Sequence, residues 1–157
     1  MRRRFGTDAL ESIPLKLIIV AIVASMSVVP AAQALVGLEG RELVRRAEMQ
    51  LDKVVTVAQV LTVQGPGNVR TLEMDFRSGT KLSFLELRAG DRLGGPNASS
   101  AILVLSNGGI MTRIARAPEC SMCSTDLTAF VAYQPLFDLR MTAVLDNRTT
   151  VVMLEMV

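Results

Sequence analysis

Residues 17–29 read LIIVAIVASMSVV, and the uncharged run continues as PAAQALVGL through 30–38 until Glu39 ends it. That is 22 residues, and about 20 suffice to cross a bilayer as a helix. Arg2, Arg3 and Arg4 precede the run, and Lys16 stands at its edge. Cations ahead of an apolar run stay on the cytoplasmic side, so the C-terminal part is expected outside. Lys16 reads as a snorkelling interfacial cation. Arg41, Arg45 and Arg46 follow closely on the far side.

Composition narrows what the remainder can do. The 157 residues are 50% hydrophobic but only 4% aromatic, with no His and no Trp. A His triad, a His-ligated metal and a His proton shuttle would each need a partner chain. Base stacking has little to work with in one Tyr and five Phe. A net charge of +2 gives no case for nucleic acid. The mean hydropathy of +0.37 is high for a soluble domain, and the run at 17–38 accounts for much of it.

Three readings of the segment compete. Ala32-Gln33-Ala34, with Pro30 just before it, fits a secretory signal cut after Ala34. A plain uncleaved anchor is the second. The third rests on Arg2-Arg3-Arg4-Phe5-Gly6, a short cationic leader ending in Gly, followed by Thr7 and then by Glu11 ahead of the apolar run.

That leader resembles the type IV prepilin signal, the class III signal of archaea. The resemblance covers roughly the first third of the chain. It implies cleavage between Gly6 and Thr7 by a prepilin peptidase. It also implies that the apolar helix is kept, first in the membrane and then in a filament core. Glu11 stands at the fifth residue after the cut, where the family carries its hallmark Glu. There it would pair with a neighbour's N-terminal amine and set the subunit register, offsetting part of the cost of burying both charges. The resemblance departs from the family at Phe5, where a charged residue is usual, and at Thr7, where many members carry Gln. Ser12, Pro14 and Lys16 also interrupt the start of the apolar run.

Beyond Gly40, Leu43, Val44, Ala47, Leu51, Val54, Val55, Ala58 and Leu61 recur at spacings of three and four, a helical stripe. Gln64-Gly65-Pro66-Gly67 ends it. From Asn68 onward, alternating apolar residues and frequent turn signals predict strands. These are expected around Leu72–Phe76, 80–88, 101–106, 110–117, 127–133, 136–145 and 149–157. The phase slip at Phe84-Leu85 predicts a bulge, and Asn107-Gly108 predicts a hairpin. The fold class is α+β: a long N-terminal transmembrane helix followed by an antiparallel β domain (sheet, sandwich or barrel), a pilin-like arrangement. The expected boundaries are a leader at 1–6, a helix at 7–64 and an extracytoplasmic β domain at 68–157. Within the helix, about 17–38 is the membrane part and about 41–64 the amphipathic part.

The β region offers few chemical candidates. Cys120 and Cys123 form a lone C-x-x-C, too few ligands for a closed zinc site. On the outside of a membrane they would close as a small-loop disulfide; reduced bystanders and redox or metal chemistry are the other readings. Asn97-Ala98-Ser99 and Asn147-Arg148-Thr149 match the N-glycosylation sequon and fall in expected turns. No nucleophile–base pair, phosphate loop or carboxylate dyad emerges, so no enzyme, cofactor or metal site is expected. The leading expectation is a structural subunit or minor pilin-like component of an archaeal surface filament. Its partners would be membrane lipid, other pilin-like subunits and a prepilin peptidase, and its home the cell membrane with the C-terminal domain outside. The alternative is a membrane-tethered or secreted β-domain binding protein that does not polymerise.

Overall fold

The stripe at 43–61 folds as read. Helix α1 (Asp8–Gln64) turns Leu43, Ala47, Leu51, Val54, Val55, Ala58 and Leu61 into a buried face, while Arg41, Glu42, Arg45, Asp52 and Lys53 stay exposed. The structure is a computed structural model. It describes residues 8–79, 82–116 and 120–157, with helix side chains described at 16–26, 28 and 40–64. The chain divides into two units, residues 1–38 and 39–157. The amphipathic part of α1 therefore belongs with the strands.

The second unit carries eight strands among its described residues. They are β1 (Val69–Asp75), β2 (Phe84–Ala89), β3 (Ser100–Leu105), β4 (Ile110–Ile114), β5 (Ser121–Ser124), β6 (Phe130–Ala132), β7 (Leu136–Asp146) and β8 (Thr149–Met156). One sheet runs β1-β7-β8-β5 and the other β4-β3-β2-β6. Strand alternation sends Met74, Phe137, Leu139, Met141, Ala143, Val152 and Leu154 inward from the first sheet. Phe84, Leu87, Ala89, Ala101, Leu103 and Leu105 enter the same core from the second. The aromatic residues join the sheets: Phe76 stacks on Phe84 with centroids 4.8 Å apart, and Phe130 lies 6.4 Å from Phe137.

Leu51 sits at the centre of the helix stripe with no exposed surface. Leu51→Ala removes buried methyl groups and leaves a cavity, costing about 3 kcal/mol. Denaturant unfolding should show a lower midpoint with an unchanged slope.

Two expectations need correction. The first is the long transmembrane helix: among the described residues, no helix is long and apolar enough to cross a membrane. From Gly40 onward α1 is amphipathic, and its apolar stripe is already buried in the second unit. The second correction concerns the purely antiparallel domain. The α+β content is compatible, but β5 pairs with β8 in parallel, Met122 opposite Val152 and Cys123 opposite Met153. The segment expected as a cysteine loop is thus an edge strand. After β4 the chain leaves one sheet and enters the other beside β8, running in the same direction.

The anticipated bulge is present as a register shift between Phe84 and Glu86, which leaves Leu85 exposed. The Asn107-Gly108 hairpin joins β3 to β4. Gly108 N–H donates to the Leu105 carbonyl and Gly109 N–H to Asn107 Oδ1.

Candidate functional site

Among the described side chains of the first unit, residues 17–26 and 28 present an uncharged helical surface. Leu17, Ile18, Ile19, Val20, Ile22, Val23, Met26 and Val28 are each more than half exposed. They do not form a stripe, because consecutive residues are exposed all round the helix. A helix apolar on every face is normally buried. The one described hydroxyl there is satisfied locally, Ser25 Oγ donating to the Ile22 carbonyl at 2.8 Å, so it asks nothing of water. Lys16 is exposed. Gly6 and Thr7 lie outside the described residues. Glu11 falls in α1, but its side chain is outside them too.

In the second unit the helix is fastened to the edge strand β4. Arg113 donates from Nε to Asp52 Oδ1 at 2.8 Å and lies 3.6 Å from Glu48. Gln59 Nε2 donates to the Arg116 carbonyl. Asp52, Thr112, Arg113, Ile114 and Arg116 line an open groove of about 610 Å³ here. Its charges largely answer each other, which makes it a latch between helix and sheet. No sequence signal marks this latch, since Arg113 and Asp52 are 61 residues apart.

Cys120 and Cys123 are both free and buried. Cys120 joins the core beside Met122, whereas Cys123 lies outside that cluster, as strand alternation requires. Three residues of extended chain span about 10 Å, beyond the reach of a disulfide. The expected small-loop disulfide is therefore not formed in this structure. Burial pushes the Cys120 thiol from 9.0 up to about 11. Cys123 is raised by burial first and by the Asp146 charge second. Neither is a thiolate nucleophile near neutral pH. At pH 8 the native protein should react slowly with a thiol reagent, and in denaturant both thiols should react fully. The folded chain holds these protons where an unfolded chain would release them. Stability should accordingly fall as pH rises from about 9 towards 11.

Comparison of the chain with family models, curated proteins and solved structures gives no match. Among the described residues, the scattered carboxylates form no catalytic constellation. Glu73 and Asp138 do face each other across β1 and β7, but both are exposed. Asp75 is held down to about 2 by hydrogen bonds from Arg77, its neighbour two residues on. Among the described residues, no group of three His, Cys, Asp or Glu side chains could hold a metal ion. Asn97 and Asn147 are both exposed. Asn147 and Arg148 have φ of 43° and 71°, the two left-handed positions of a tight turn between β7 and β8.

Proposed function

We propose that this chain is a pilin-like structural subunit of a cell-surface assembly, in which residues 17–28 are buried against the same segment of other copies. The observation that carries the reading is the uncharged, all-round apolar helical stretch left exposed in a chain whose other helical stripe is buried. Exposed apolar patches beyond a few hundred Å² mark interaction sites. The aliphatic composition suits self-packing, since Ile, Val, Leu and Met interdigitate without polar groups needing partners. The cationic leader ahead of Gly6 and the Glu at position 11 supply the prepilin resemblance. The second unit, with its own helix and two sheets, is the part displayed. Assembly in this form does not require the stretch to cross a bilayer.

The N-terminus of the native protein tests the route. Mass spectrometry should find Thr7 as the first residue, with 17–28 retained. A first residue of Leu35 would remove the packing segment and end this reading in favour of ordinary secretion. An uncut leader would argue for a tethered binding protein.

A further inference from the structure

The two sequons are far apart in the chain, yet the second unit carries them to one end. β2 runs from Phe84 to Ala89, and the loop that follows, 90–99, is bonded down onto β5. Asp91 N–H donates to the Met122 carbonyl at 3.1 Å, and Met122 N–H to the Ala98 carbonyl at 2.7 Å. Met122 is paired with Val152 of β8. β8 begins at Thr149, directly across the turn from Asp146, and this turn carries Asn147. The C-terminal end of α1 returns to the same rim, where Gly67 N–H donates to the Ala143 carbonyl. Gly40, near the start of the unit, lies by contrast beside Leu82, which precedes β2 at the other end. Asn97 and Asn147 thus share the rim farthest from where the chain enters this unit from residue 38.

Their local chemistry suits modification. Both side chains are exposed. Asn97 uses its backbone to hold the loop, its N–H donating to Asp91 Oδ2 and its carbonyl accepting from Ser100, which leaves the amide on the outside. Asn147 Nδ2 has only a long 3.4 Å contact to Asp146 Oδ2.

We infer that Asn97 and Asn147 are N-glycan acceptors and that the rim they share is a glycosylated face. The inference rests on the surface reading above. The donor class is a polyprenyl-phosphate-linked oligosaccharide. Asn Nδ2 forms a bond to the anomeric carbon, the bond from that carbon to the phosphate oxygen breaks, the lipid phosphate leaves, and Nδ2 gives up one proton to a base of the transferase. Glycans at this rim would cover the end of the second unit opposite its chain entry.

The test uses the full chain in a host that makes N-glycans. Intact mass and peptide mapping should find two glycans. Asn97→Gln and Asn147→Gln should each remove one, and Ser99→Ala and Thr149→Ala should each do the same with the asparagine retained. Protease added to intact cells reports location separately. Bare asparagines on a chain that the protease reaches would overturn the inference. If the protease does not reach the chain, the surface reading fails. The purified chain is then incubated with membranes holding transferase and lipid-linked oligosaccharide, where transfer to both sites sustains the acceptor assignment and no transfer refutes it.

Discussion

Gly90→Ala should destabilise the second unit by about 3 kcal/mol or more, and the variant is expected to unfold near room temperature or to accumulate as insoluble protein. Two costs add. Gly90 has φ of 70°, a left-handed conformation that charges an L-residue about 1–2 kcal/mol. A Cβ there would also run into the Met122 carbonyl oxygen and carbon. These are backbone atoms and cannot rotate aside. The same carbonyl accepts from Asp91 N–H, and Met122 N–H donates to Ala98. Moving it therefore loosens β5 along with the whole loop. Gly94→Ala is the control, because it has a similar φ of 75° and open space around it. It should cost only the conformational part. Thermal unfolding of the two variants separates backbone conformation from steric collision.

Much of the second unit was legible because its signals are local. The stripe from Leu43 to Leu61 depends only on helical periodicity, and its side chains are buried as the spacing required, Val44 partly so. The slip at Phe84-Leu85 and the Asn107-Gly108 turn are decided within a few residues. Partner choice is not local. Nothing in Ser121-Met122-Cys123-Ser124 announces a strand; it becomes one by lying parallel to β8, whose sequence is remote. That pairing also places the two thiols on opposite faces, which the spacing C-x-x-C does not convey. The Arg113 latch to Glu48 and Asp52 is hidden for the same reason. The apolar run at 17–38 misled in another way. Its composition meets the length rule for a crossing helix, while among the described residues no helix is long and apolar enough to cross a membrane.

Ile18→Asp with Ile22→Asp should abolish self-association while leaving the second unit folded. The two positions are one helical turn apart and more than half exposed. Burying the remaining surface of each Ile contributes about 1 kcal/mol. A carboxylate in its place loses that and adds several kcal/mol of desolvation. Together the change exceeds about 4 kcal/mol, or roughly 1,000-fold in association. Unfolding of the second unit should be unaltered, because neither residue belongs to its core. Sedimentation velocity reads the first expectation and the denaturant midpoint the second. Ile18→Val with Ile22→Val should retain assembly and excludes a general intolerance of change at these sites.

Site-directed photocrosslinking at Ile22 in cells tests the central claim most directly, because it captures whatever covers the exposed stretch. The account predicts covalent dimers and higher multimers, with cross-linked peptides drawn from residues 17–28 of two copies. Adducts to lipid alone, or to an unrelated protein with no second copy, would contradict it.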